Sequence, residues 1–444
     1  MPHFAEHDLT RGNVSRLLAV FSWPLALTNL LQALHGLIDM LLVGRWVGTD
    51  AMSAVTVGGQ GIFFLTTFSM GLAAGGQILI AQLKGAGKTR EQGQAVGALF
   101  ILALIVGLAA GTLGFFFTER ALHLLKTPQE AMEGAGAYMR ITALGLPFSF
   151  FYNAIAGALR GLGDSLRPLI FATIGALVHV GLGLFFLGFF SMGIWGVALA
   201  TTISQIAAVL LGGVYLLHRR REYAFHFPTW DKVAQILKIG VPFGLQMGLL
   251  QFSGLVITRL VNPFGVAASA AFGTGSRIVG LFTIPMMGIG NGASTIISQS
   301  MGAGKPERVS IAVRWALVYT LGLSAITAVA TRLFPALLMG FFTQEAEVIQ
   351  IGGFYLSVLA WSYIGLGLHS SFNAVALGVG FSLYSLLASA LEALAGRIGL
   401  ALLFSLWWGL AGIFIAQALA PYLALGLSLP YYLSGKWRNR KLVE

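Results

Sequence analysis

Apolar runs long enough to cross a bilayer recur along this chain, and that recurrence constrains its fold more than any motif. A helix spans the hydrocarbon core with about 20 apolar residues. Twelve such runs fall at roughly 17–44, 52–81, 93–117, 134–160, 167–188, 194–218, 235–261, 267–299, 310–339, 350–378, 382–405 and 410–433. Of 444 residues, 57% are hydrophobic and 10% charged, against about 25% charged in soluble proteins. The expected fold is an all-α polytopic membrane protein with twelve transmembrane helices. Several runs exceed the minimum, which predicts tilt or kinks. The first is too long for a signal-peptide core, so no cleavage is expected. Cysteine is absent, which removes disulfides and thiolate metal sites.

The net charge of +11 is informative through its placement. Lys84, Lys88, Arg90, Arg160, Arg167, Arg219, Arg220, Arg221, Lys232, Lys305, Arg308 and Lys436 fall in the tails and in connections on the same side as them. The other side shows Arg45, Arg120, Lys126 and Arg332. This bias predicts a multi-pass protein of the inner (plasma) membrane with both termini cytoplasmic. The basic surplus is thus an orientation signal and calls for no nucleic-acid partner.

Two loops announce a duplication. GQILIAQLKGAGKTREQGQAV (Gly76 to Val96) matches GASTIISQSMGAGKPERVSIAV (Gly292 to Val313), aligning Gln82 with Gln299 and Lys88 with Lys305 at an offset of 217. The same offset places Tyr138 on Tyr355, and Trp23-Pro24 meets Val241-Pro242 at 218. The expected organisation is two pseudo-symmetric six-helix lobes, 1–217 and 239–444, joined by a cytoplasmic linker at 218–238. Transporters built from such repeats bind substrate between them. Gly87-Lys88-Thr89 resembles the tail of a phosphate-binding loop, but Gln82 stands where that loop needs its first glycine. A helix-capping turn with anchoring lysines is the simpler reading. Neither ATP nor any other cofactor is implied.

Within Phe21 to Gly48 lies one carboxylate, Asp39. A charge at membrane depth costs at least about 2.5–3.5 kcal/mol, which makes such a residue a functional candidate. Gln32, His35 and Asp39 fall within roughly 60° on a helix, a polar stripe that must face protein or water. Of sixteen acids, only Asp39 and Glu392 sit well inside runs. Desolvation disfavours a buried carboxylate's charged form, so a proton is the expected ligand of Asp39. The repeat places Ile257 at the matching point of the second half, so the halves are chemically unequal.

Asn153, His179 and Thr201 or Thr202 can accompany Asp39, although each also reads as helix packing. Gln246, Gln251, His369 and Asn373 can line a second-half cavity or simply pack. Glu392 reads as a second titrating site or as the partner of a membrane arginine. Arg397 lies about 140° from it on an α-helix, so that partner is expected elsewhere. Pro24, Pro147, Pro242 and Pro285 interrupt runs and permit bends.

These residues resemble a known family. Trp23-Pro24 through Asn29 to Gly36-Leu37-Ile38-Asp39 and Val43-Gly44 is similar to the first helix of multidrug and toxic compound extrusion (MATE) transporters. So are Gln82, Gly85 and Lys88 after the second helix, and Leu159-Arg160-Gly161-Leu162-Gly163-Asp164 with Pro168 after the fourth. Met192 to Thr201, MGIWGVALAT, resembles the sixth-helix start. The resemblance covers the whole chain and implies two six-helix lobes that export organic compounds by antiport against H⁺ or Na⁺. It carries the coupling acid onto Asp39, with Asn153 and Thr201 at accompanying positions. Where many members show Asn and Asp four residues apart in helix five, this chain has His179 and Gly183. A seventh-helix acid of another branch is missing, with Gln251 nearby. A hard cation wants several oxygens, so these departures favour H⁺ and a DinF-like placement.

The expected function is a monomeric secondary antiporter exporting amphipathic or cationic organic compounds. The expected ion-coupling residues are Asp39, Asn153, His179 and Thr201. Expected substrate contacts are Gln32, His35, Gln251, Asn373 and Glu392. Two rivals are a Na⁺-coupled drug antiporter and a lipid-linked precursor flippase, the latter using Arg140, Arg259, Arg277 and Arg397. The scattered acids and histidines show no metal spacing or nucleophile arrangement, which argues against an enzyme.

Overall fold

The computed structural model describes residues 8–125, 127–219 and 226–440. Lys126, Arg220, Arg221 and residues 220–225 of the expected linker lie outside the described residues. The described residues are helical almost throughout. In order they form α1 (Val14–Trp46), α2 (Thr49–Gly85), α3 (Thr89–Phe116), α4 (Thr118–Leu124), α5 (Gln129–Gly161), α6 (Leu166–Gly188) and α7 (Gly193–His218). Then come α8 (Trp230–Val261), α9 (Val266–Gly302), α10 (Glu307–Leu333), α11 (Pro335–Gly340), α12 (Ala346–Gly378) and α13 (Ser382–Ala390). A π-helical stretch, Leu391–Gly399, leads into α14 (Leu400–Leu433).

Ten helical segments among the described residues are long and apolar enough to cross a membrane. The last, Ser382–Leu433, holds two of the expected spans, because its backbone leaves the helical region at Gly409 (φ 54°, ψ −131°). With the 37-residue α9, the twelve expected spans are accounted for.

The described chain divides into two compact units. One comprises Leu27–Gly244; the other comprises Asp8–Ala26 and the residues from Leu245 on. The division falls inside α1 and α8, so each of these helices is shared between units. In the first unit α5 is the hub, packed by α2, α3 and α7, with α6 against α7. In the second, α12 takes that role against α9, α10 and α14. Each hub is the fourth span of its half, as the duplication requires.

The two units also repeat a close helix crossing. A Cβ on Gly71 of α2 would come within 2.5 Å of the Gly240 carbonyl on α8, and one on Gly75 within 2.6 Å of the Ile236 carbonyl. In the other unit, a Cβ on Gly288 of α9 would reach within 2.9 Å of Ala26 on α1, and one on Gly292 within 2.3 Å of the Ser22 hydroxyl. Small residues four apart let backbones meet, gaining dispersion contacts where lipid offers no hydrophobic drive. Pro24 and Pro242 sit within these crossings.

The duplicated loops are capping turns. Lys88 N–H donates to the Leu83 carbonyl, and Lys305 N–H to that of Ser300. The Lys305 ammonium donates to the Thr10 carbonyl (3.1 Å), and Arg308 to the Leu9 and Gly12 carbonyls (both 3.1 Å). In the first unit the Lys232 ammonium at the start of α8 donates to Glu91 (2.7 Å). The turn between α5 and α6 is likewise structural: Asp164 accepts from the Leu166 and Arg167 N–H groups and pairs with the Arg167 guanidinium at 2.9 Å. The Lys84 ammonium donates to the Leu162 carbonyl nearby.

Overpacking a close crossing costs about 1–3 kcal/mol. Gly71→Val and Gly288→Val should therefore each lower the melting temperature of detergent-purified protein. Gly280→Ala, whose Cβ meets open space, should leave it unchanged.

Candidate ion-coupling site

Asp39 lies on the part of α1 that belongs to the first unit, and it is 1% exposed. Three helices place side chains around it. Tyr138 of α5 donates its phenol O–H to Asp39 Oδ2 at 2.7 Å. His179 of α6, wholly buried, brings Nε2 to 2.7 Å from Oδ1. Thr201 of α7 donates to Oδ2 at 3.4 Å, and its hydroxyl lies 3.3 Å from His179 Nε2.

An apolar cluster holds this assembly. Leu42 and Val43 of α1, one turn beyond Asp39, pack with Ala51 and Val55 of α2, Tyr138 of α5, Leu187 of α6, and Val197 and Ala198 of α7. A Cβ on Gly183 would come within 2.8 Å of Leu42. The glycine one turn past His179 therefore lets α1 lie close to α6 and brings imidazole and carboxylate together.

The arrangement meets a buried carboxylate on its own terms. Removing the charge from water costs several kcal/mol, recovered only with close, well-aligned partners. Hydrogen bonds to a charged acceptor contribute about 1.5–3 kcal/mol each. Two hydroxyl donors supply them at Oδ2, and the His179 imidazole lies 2.7 Å from Oδ1.

His35, one turn before Asp39 and half-buried, stacks on His179 with ring centroids 3.9 Å apart and planes at 17°. Gln32, a further turn back, is exposed. The stripe anticipated from the sequence is thus present and grades from open to enclosed. Asn153 is buried but donates to Ser69 Oγ at 3.0 Å, away from the Asp39 group. Thr202 donates to the Ile141 carbonyl at 3.2 Å, so Thr201 is the threonine that meets the acid.

The other candidates belong to the second unit. Gln251 is exposed. Asn373 is buried, its Oδ1 without a hydrogen-bond partner among the described residues. His369 lies 3.2 Å from the Ser428 hydroxyl through Nδ1. Glu392 corrects the sequence reading. Its Oε1 accepts from Arg397 Nη2 at 2.8 Å and Nε at 3.2 Å. The helical wheel set Arg397 on another face because it assumes α-helical pitch. Leu391–Gly399 is π-helical, and its i→i+5 winding brings residues five apart onto one face.

Tyr138 was used in the sequence only as a landmark of the repeat. The available signal was chemical: a phenol amid Ala and Gly in a buried helix needs a polar partner for its O–H.

Glu392→Gln leaves the Arg397 charge without its carboxylate. Breaking a buried pair costs about 3–5 kcal/mol, and the partial exposure of Arg397, 29% of its side chain, lowers the expectation to about 1–3 kcal/mol. The melting temperature should drop accordingly, and Glu392→Gln combined with Arg397→Met should recover most of it.

Comparison with known proteins agrees with this architecture. The MatE family profile matches residues 24–185 and 242–403, one stretch in each half. The chain is 30% identical over 438 residues to the probable multidrug resistance protein YpnP of Bacillus subtilis, covering 98% of each. It is 28% identical over 450 residues to the probable multidrug resistance protein YoeA of the same organism, covering 98% of this chain and 96% of that one. A solved structure described as MATE in the bent conformation superposes with a TM-score of 0.91 at 21% identity, covering 96% of both chains. Taken with the duplicated helices and their twelve spans, these matches show that the chain belongs to the MatE family of multi-pass multidrug efflux transporters.

Proposed function

We propose that this protein is a secondary antiporter of the plasma membrane, exporting amphipathic and cationic organic compounds in exchange for H⁺, with Asp39 as the protonated group. The enclosure of Asp39 by Tyr138, His179 and Thr201 carries this reading. Protonation from outside removes the carboxylate charge, weakening its hold on the phenol and imidazole of two other helices. The first unit then repacks, with Pro24 permitting α1 to bend. Substrate is released outward, and deprotonation to the cytoplasm resets the group. Coupling requires only that substrate affinity differ between the two Asp39 states.

The donor chemistry supports H⁺ over Na⁺. A hard cation is served by several oxygens, whereas one carboxylate oxygen of Asp39 faces an imidazole nitrogen at 2.7 Å. Gly183 contributes no ligand. The relatives named as multidrug resistance proteins support a drug-like substrate. The flippase reading loses two of its four cations to ion pairs: Arg140 is paired with Glu119, and Arg397 with Glu392.

In proteoliposomes, a pH gradient alone should drive ethidium transport by the wild type, and a Na⁺ gradient alone should not. Asp39→Asn should reduce the ΔpH-driven rate at least about tenfold, a conservative bound beside the roughly 10²–10⁴-fold that a positioned proton-transfer group contributes to a rate. Sodium-driven transport, or an unimpaired Asp39→Asn protein, would refute the reading.

A further inference from the structure

Asp39 and His179 are enclosed, at 1% and 0% side-chain exposure. A proton that reaches them from water therefore needs an intermediary, and the stripe on α1 offers one between exposed Gln32 and the buried pair. We propose that His35 is that intermediary: a proton-relay residue that passes one proton at a time to His179 and thence to Asp39. This rests on the reading of Asp39 as the coupling acid.

Three observations carry the proposal. His35 lies directly on His179, at 3.9 Å between ring centroids. Each ring keeps one buried nitrogen without a hydrogen-bond partner among the described residues, Nε2 of His35 and Nδ1 of His179. The opposite nitrogen of His179, Nε2, is the one that faces Asp39 Oδ1. His179 thus meets the acid through Nε2, 2.7 Å from an Oδ1 that has no hydrogen-bond partner among the described residues, and keeps Nδ1 unpartnered at its other end, the arrangement a two-ended carrier needs.

The transfer balances as follows. A proton from water bonds to His35 Nδ1, giving an imidazolium. The Nε2–H bond of His35 breaks as an N–H bond forms at His179 Nδ1. The Nε2–H bond of His179 breaks as the proton bonds to Asp39 Oδ1. Both imidazoles end neutral and Asp39 ends as the acid, one proton having moved inward. Parallel rings do not aim N–H at N, so the first hand-over needs one ring to turn about its Cβ–Cγ bond. Two stacked imidazolium rings repel at this separation, which limits the stack to a single proton.

The titratable side chains placed at His35 are His179 on α6, stacked on it, and Asp39 one turn along α1; Tyr138 on α5 and the Thr201 hydroxyl on α7 meet the acid. Tyr138 donates to the acid from the other side and lies off the path.

The test uses full-length protein in proteoliposomes, ethidium as the transported probe and a lumenal pH dye. His35→Phe keeps a flat ring on His179 but cannot carry a proton. It should slow ΔpH-driven transport at least about tenfold and flatten its pH profile. In His35→Ala, added imidazole should restore a large part of the rate, which no packing role would allow. A His35→Phe protein with the wild-type rate and pH profile would overturn the proposal, as would a slow His35→Ala protein that imidazole does not rescue. Asp39→Asn in the same vesicles separates the two readings. Retained ΔpH drive there refutes the coupling role of Asp39 and this proposal with it; lost drive beside an unaffected His35→Phe refutes the relay alone.

Discussion

A carboxylate kept from water inside an apolar protein has to find its stabilisation in a few side chains, and the first unit is arranged around that demand. Asp39 takes a phenol from α5, an imidazole from α6 and a hydroxyl from α7. The apolar packing one turn away and the glycine at position 183 bring those helices close enough to supply them. The second unit shows the same scaffold without the demand. Ile257 stands where the repeat places the acid, and it is completely buried in apolar packing. Tyr355, the counterpart of Tyr138, lies among rings there, with centroids 5.5 Å from Phe272 and 4.8 Å from Phe414. One duplicated residue thus serves as a hydrogen-bond donor in one half and as packing in the other.

Much of this was legible in the sequence, for physical reasons that also mark where legibility ends. Hydrophobic length is a one-dimensional property, so the spans could be read directly. The repeat was visible because its capping turns impose local glycine and lysine positions. The stripe of Gln32, His35 and Asp39 followed from α-helical pitch, and it is present because α1 keeps that pitch. The same assumption failed at Glu392 and Arg397, where the winding changes. Partners on different helices were harder. Nothing local distinguishes Asn153, which meets Ser69, from Thr201, which meets Asp39; that choice belongs to tertiary packing. The division of the chain was hidden too, because it falls within continuous apolar helix, where composition does not change.

That division gives the prolines a physical context. Both crossings from one unit to the next, at Ala26–Leu27 and Gly244–Leu245, lie two residues beyond a proline, Pro24 and Pro242. Proline lacks the N–H that would close the preceding helical turn, so each shared helix is least braced close to where its allegiance changes. Immediately around these points, small residues bring α1 onto α9 and α8 onto α2. Rigid contact and weakened backbone are therefore neighbours in both halves.

The two buried acids differ in one further respect. Asp39 and His179 sit on separate helices, whereas Glu392 and Arg397 share a single π-helical stretch. Any slide or rotation of α1 against α6 changes the first distance, so that pair acts as a gauge of helix position as well as a store of charge. No rigid movement of neighbouring helices alters the second. The charges of Glu392 and Arg397 travel with their own backbone, making that segment an electrically neutral strut whose ion pair is kept when it shifts.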